Sequence, residues 1–164
     1  MAKKELKNGG EFNLLQCDLI LADGVLHNLT AAIIGLTIFE NIGQFTITGT
    51  ISIQDSYNLA SLGPIIGQEY LRLKIATPNL SGGENTIDCT KNPLMIIAVD
   101  DRENVGNGVQ VTTMSFCSRE FILNQQARVR RTLVGSYSEI VQMMLKTDLD
   151  SDKAMNIQPS ADNK

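Results

Sequence analysis

From Phe45 to Gln54 apolar and polar residues take turns. Phe45, Ile47, Ile51 and Ile53, with Gly49 between, fall on one side of an extended chain, and Thr46, Thr48, Thr50, Ser52 and Gln54 on the other. A helix would scatter that pattern around its axis, whereas a strand sorts it into one buried and one polar face. The β-branched Thr and Ile suit a pleated surface. Leu71, Leu73 and Ile75 alternate with Arg72 and Lys74 in the same way. A face rich in threonine can meet water without exposing much hydrocarbon, so two readings stand open: an ordinary amphipathic sheet, or a sheet lining a channel.

The rest of the chain adds strands of the same kind. Residues 12–21 predict a strand ended by the turn signal Asp23-Gly24, and residues 31–39 predict another, with a short helix at Ala32-Ile33-Ile34 as the alternative. Asn41-Ile42-Gly43 separates residues 31–39 from 45–54, an antiparallel hairpin. Residues 79–85 are turn-rich. Pro93 opens a run at 94–99 that reads as a strand buried on both faces. Residues 101–108 read as a hydrophilic turn before a strand at 109–117. About six strands joined by loops predict a mainly β fold, an antiparallel barrel or sandwich. Ser136-Tyr137-Ser138-Glu139 has the form of a capping box, and Tyr137, Ile140, Val141, Met144 and Leu145 recur at helical spacing, which predicts a C-terminal α-helix over 137–147. The expected division is a flexible arm at 1–11, a β domain at 12–133, a helix at 134–147 that can begin a second domain, and a mobile tail at 148–164.

Chemistry is sparse. The 164 residues carry a net charge of -4 and 5% aromatic residues without Trp, so neither phosphate contacts nor base stacking is well supplied for general nucleic-acid binding. Cys17, Cys89 and Cys117 form no CxxC pair and read as buried, reduced thiols. His27 is the sole histidine, and no local signature pairs it with a cysteine nucleophile. Asp148, Asp150 and Asp152 imitate the start of a calcium loop, but Lys153 stands where Gly is needed and Pro159 where the bidentate Glu is needed. Asp100 and Asp101 read as a polar strand end, and Gly106-Asn107-Gly108 as a turn rather than a phosphate loop. The start MAKKELKNGGEF lacks the apolar run of a signal peptide, and no stretch nears the roughly 18 continuous apolar residues of a membrane span. No catalytic residue, cofactor or metal is expected.

Two clusters point to contacts instead. In the loop after Asp55, Gly63-Pro64 and Gly67 shape the backbone, while Leu59, Leu62, Ile65 and Ile66 supply apolar anchors and Glu69 leads into the next strand. These side chains make a subunit interface or close a local core. Arg128, Arg130 and Arg131 are suited to intersubunit or interloop ion pairs, with Asp55, Glu69 and Glu120 as candidate partners.

The order of these elements resembles the N-terminal part of the baseplate hub proteins of contractile-tailed bacteriophages, the myoviruses. The carrying segments are ISIQDSYNLASLGPIIGQEYLRLKI, NPLMIIAVDDRENVGNGVQVTTMSFCSREFILNQQARVRR and GSYSEIVQMML, roughly residues 29–147. The resemblance implies a tail-tube-like β-barrel or sandwich and a structural virion protein. Such a subunit assembles as a trimer or hexamer ring, joining the tail tube to the central spike beside baseplate wedge proteins. It implies a channel that DNA crosses without specific binding, no membrane insertion, and a place in the tail baseplate after assembly in the host cytoplasm. Hub proteins continue into a second tube-like domain that 164 residues do not accommodate. A fragment of a longer hub, a split hub, and a tail-tube or tube-terminating subunit stay open, and so does a free β-barrel that binds a ligand.

Overall fold

The computed structural model describes residues 12–55, 59, 63, 65–78, 84–106, 108–151 and 153–157. The arm at 1–11, the end of the tail at 158–164, Leu62, Pro64 and Asp152 lie outside the described residues. Two compact units divide the chain, Met1–Arg119 and Glu120–Lys164.

The first unit is one antiparallel sheet. Its strands are β1 (Asn13–Ile20), β2 (Leu26–Asn28), β3 (Ile33–Phe39), β4 (Thr48–Asp55), β5 (Tyr70–Pro78), β6 (Glu84–Asp88), β7 (Leu94–Gly106) and β8 (Val109–Cys117). They lie in the order β2-β1-β5-β7-β8-β4-β3, with β6 also on β5. The period-two pattern is what builds it. Ile51 and Ile53 of β4, Leu71, Leu73 and Ile75 of β5, and Met114 and Phe116 of β8 are buried, while the residues between them face outward. Each such aliphatic or aromatic side chain contributes roughly 1.5–3 kcal/mol.

These residues join Cys17 and Leu19 of β1, Leu94 and Ile96 of β7, and Leu21, Leu29 and Leu59 in a single core. Strands near opposite ends of the order share it, so the sheet curls around it. The sheet stays open nonetheless, for β2 and β3 do not pair with each other. Residues 29–32 span the gap: Leu29 N–H donates to the Cys17 carbonyl at 2.8 Å, Cys17 N–H donates to Thr30 Oγ1 at 3.2 Å, and Gln54 N–H donates to the Ala32 carbonyl at 2.7 Å. The antiparallel β architecture agrees with the sequence; ladder closure into a barrel does not occur among the described strands.

Gly49 shows how tightly one position is specified. It sits opposite Phe116 in the β4–β8 register, and a Cβ there would run into the Phe116 ring and the Thr37 carbonyl oxygen. The missing side chain is the space the ring occupies.

Several local expectations fail for identifiable reasons. Alternation suggested that Phe45 and Ile47 face the core, but Phe45 is exposed and Thr46 is buried. Ser118 reads the backbone of Ile47 instead, accepting its N–H at Oγ (3.3 Å) and donating its own N–H to the Ile47 carbonyl (2.8 Å). That anchorage precedes β4. Residues 101–106 are strand rather than turn, with Asp101, Arg102 and Glu103 opposite Thr113, Thr112 and Val111. Their side chains are all exposed, so no hydrophobic alternation marks them. The reversal falls around Gly106 and Gly108, at φ 93° and 74°, a conformation that glycine adopts freely. Residues 94–99 are not buried on both faces, since Ile97 is exposed and the β7–β8 register shifts between Ile96 and Ala98. β2 and β6 were not anticipated, and β6 begins inside the expected turn region at 79–85.

Helix α1 (Arg119–Gln126) begins at the boundary between the units and was not anticipated from the sequence. In the second unit α2 (Tyr137–Met143) continues into a π-helical turn (Met144–Asp148). Its start is the predicted capping box: Ser136 Oγ accepts from Glu139 N–H, and the Glu139 carboxylate accepts from Ser136 N–H at 2.9 Å. The apolar stripe is present but only partly covered, with Ile140, Met144 and Leu145 half-buried. Tyr137 and Val141 are exposed, and no residue of α2 is buried.

Candidate assembly site

The loop between β4 and β5 is held at both ends by carboxylates. Asp55, closing β4, is buried, and its Oδ2 accepts the Leu59 N–H at 2.7 Å. Glu69, just before β5, is fully buried; Oε1 accepts from Ile66 N–H at 2.8 Å, and Oε2 from Gly67 and Gln68 N–H at 2.8 and 3.1 Å. Backbone amides without a ladder partner require acceptors, and a buried carboxylate requires donors. Each satisfies the other through charge-assisted bonds.

The residues singled out in this loop therefore part company. Leu59 belongs to the core and Ile65 packs against it, whereas Ile66 points outward at 58% exposure. Asp55 and Glu69 face inward, onto the loop's own backbone.

The arginine cluster finds a different partner from those suggested by sequence. Arg131 Nη2 lies 2.8 and 2.9 Å from the two carboxylate oxygens of Asp148. Glu120 is taken by Lys153, at 3.1 Å, and by the Ser151 hydroxyl, at 2.9 Å. Burial pushes the Glu120 carboxyl up, but hydrogen bonds from its own backbone, Lys153 and Ser151 outweigh it and leave the group below its ordinary value. Arg128 and Arg130 are exposed. Of the Asp148, Asp150 and Asp152 series, Asp148 serves Arg131 and Asp150 takes a left-handed φ of 47°, while Asp152 lies outside the described residues.

The outer face of the sheet is rich in hydroxyls. Thr50 pairs with Ser115 and Ser52 with Thr113 across β4 and β8, and the Ser52 and Thr113 hydroxyls bond at 2.9 Å. Ser115 also donates to Asp100, placing that carboxylate mid-strand on β7. Lys74 and Asp88 form an ion pair at 2.8 Å between β5 and β6, and Lys74 together with Thr90 holds the Asp88 carboxyl well below the carboxylate range.

The cysteine thiols are withdrawn from solvent. Burial and the neighbouring Asp18 charge push the Cys17 thiol up to about 12, and burial also raises Cys117. Cys89 is buried as well. His27 sits on the short β2, opposite Leu19.

What the outer margins of the sheet present is apolar. Phe12, Leu15, Val25 and Leu26 are 45–54% exposed around β1 and β2. Around β3, Ile34, Phe39 and Phe45 are 46–59% exposed, and Ile42 is fully exposed. None of these was picked out from sequence as a contact residue, because only the strand order reveals which strands lack a neighbour.

No protein-family model matches the sequence, and no curated protein matches it. Among solved structures, a chain of the Francisella PdpA-VgrG complex in its lidded form aligns with a TM-score of 0.42 at 16% identity. The alignment covers 88% of this chain and 21% of that one, so this chain spans about a fifth of its length. A likeness of that extent establishes neither family nor function.

Proposed function

We propose that the chain is a structural subunit of a phage-type contractile tail, of the baseplate hub or tail-tube kind, which works by symmetric assembly and not by covalent catalysis. The observation that carries this reading is the open sheet with exposed apolar residues along both unpaired margins. Free strand edges invite pairing with another chain and are ordinarily blunted or covered, and a ring of subunits covers them. The order of strand, loop, long hairpin and helix, with its resemblance to hub proteins, supplies the kind of assembly.

In this reading the hydroxyl face built by Thr50, Ser52, Thr113 and Ser115 forms a wet wall. Without arrays of Lys or Arg it would let DNA pass rather than hold it by its phosphates. The ring, a trimer or hexamer, would meet the tail tube on one side and the central spike on the other, with wedge proteins around it. Its place is the tail baseplate of the virion, assembled in the host cytoplasm.

Native mass measurement with negative-stain imaging, followed by co-sedimentation with purified tail components, tests the proposal. Ring-shaped oligomers that join tails are expected. A strictly monomeric particle that joins none of them, and binds a glycan or peptide instead, would assign the chain to free ligand-binding barrels.

A further inference from the structure

Between α1 and α2, residues 127–136 belong to no helix or strand. The stretch is nevertheless tied at three points within the second unit. Ala127 N–H donates to the Leu123 carbonyl at 2.9 Å, Arg131 holds both carboxylate oxygens of Asp148, and Ser136 caps α2. Between those ties the backbone is left over: residues 128–135 form no hydrogen bond through their backbone among the described residues.

Its side chains are unevenly used as well. Residues 127–136 hold Arg128, Arg130 and Arg131 and no acid. Asp148 neutralises Arg131, but Arg128 and Arg130 are exposed and make no ion pair or hydrogen bond among the described residues. Two uncompensated positive charges therefore stand two residues apart in a chain of net charge -4. A few residues on, Val134 and Tyr137 are 86% and 89% exposed.

We infer that this stretch is a docking strip for an acidic, extended segment of a partner protein, with its carboxylates on Arg128 and Arg130 and its apolar side chains against Val134 and Tyr137. Each guanidinium presents a planar fork that matches a carboxylate. Backbone N–H and C=O groups without an internal partner are what a second polypeptide can pair with. Nucleic acid is the poorer complement: a phosphate backbone calls for arrays of cations, and here Glu139 and Asp148 border only two free ones. The inference stands apart from the tail reading, since it assigns the chemistry of a partner and leaves the place of assembly open.

Fluorescence anisotropy with the full chain tests it. The probes are a short labelled peptide that mixes Glu with Leu, the same peptide with Gln for Glu or with Ser for Leu, and a single-stranded oligonucleotide of matching length. The Glu-Leu peptide is expected to bind, less tightly as salt rises, and each of the other probes to bind more weakly. Arg128→Ala combined with Arg130→Ala should weaken the Glu-Leu peptide on the order of tenfold or more. Both side chains are exposed, and circular dichroism verifies folding. Arg128→Glu combined with Arg130→Glu should transfer the preference to a peptide of Lys and Leu. No binding of the Glu-Leu peptide, equal binding of either altered peptide, wild-type affinity in the double alanine variant, or tighter binding of the oligonucleotide overturns the inference. Two further results separate it from the tail assignment. A chain that joins purified tails but ignores the acidic peptide defeats the strip and leaves the assignment standing; a chain that binds the peptide but never joins tails does the reverse.

Discussion

Replacing Glu69 by Gln alters one atom of a buried side chain that holds three backbone amides. Glutamine keeps one carbonyl oxygen. Placed where Oε2 now sits, it still accepts from Gly67 and Gln68, but its NH2 group then faces the Ile66 N–H, donor against donor. The two retained bonds lose their charge and the third is lost. Hydrogen bonds to charged groups are each worth about 1.5–3 kcal/mol, and solvent near the exposed residues 66–68 recovers part of the loss. A net cost of about 2–3 kcal/mol is expected, or roughly 4–12 °C in Tm for a chain of this size. Urea denaturation reads the total. Because the two units need not unfold together, amide hydrogen exchange at Ile66, Gly67 and Gln68 gives the local reading, with protection lost there first. Unchanged exchange at those three amides, with stability within about 0.5 kcal/mol of wild type, would refute the idea that this carboxylate shapes the loop.

Other substitutions probe the remaining elements. Gly49→Ala drives a methyl into the Phe116 ring and the Thr37 carbonyl, and is expected to cost about 3 kcal/mol or more. Phe116→Leu relieves only the ring contact, so a double-mutant cycle should show partial rescue, and strict additivity would mean the ring is not the obstacle. Hydrogen bonds from the Ser136 backbone and hydroxyl hold the exposed Glu139 carboxyl below its ordinary 4.5. Its contribution to α2 is thus present above that value and is lost as pH falls through the lower folded one. An NMR titration of Glu139 should show the depressed midpoint, and Ser136→Ala, which keeps the backbone donor and removes only the hydroxyl, should move it part of the way back; no movement would exclude the hydroxyl as a contributor. With its pKa near 12, Cys17 should react with iodoacetamide at pH 8 on the order of a thousandfold more slowly in the native protein than in urea. Equal rates would place that thiol in solvent.

Much of the sheet was legible because burial and period two coincide. The strands around Ile51 and Ile53, Leu71 and Leu73, and Met114 and Phe116 each have one face in the core, and that leaves a mark in the sequence. The capping box at Ser136 and Glu139 was legible because its partners are three residues apart. The outer half of β7 was not, since nothing there is buried and its pairing is set by β8. Helix α1 was missed for a related reason. Glu120 finds Ser151 and Lys153 about thirty positions downstream, and no local window contains that bond. For the candidate site, the apolar anchors and acids of the β4–β5 loop were found as residue types, but their roles divide by direction: Glu69 points in and Ile66 points out. The margins were invisible until strand order was known, because an exposed Phe39 is written in the sequence like a buried one.

The short segment at 29–32 matters beyond bridging a gap. By bonding Cys17 on one side and Gln54 on the other, it fastens the two sides of an unclosed sheet within a single chain. In the proposed assembly, a subunit so fastened would keep its curvature before any neighbour arrived. Joining would then demand little further ordering of backbone, one of the costs that weakens association, and the angle between neighbours would be inherited from the monomer. Under that proposal, lengthening the segment would loosen the curvature, and rings of mixed size are the expected result.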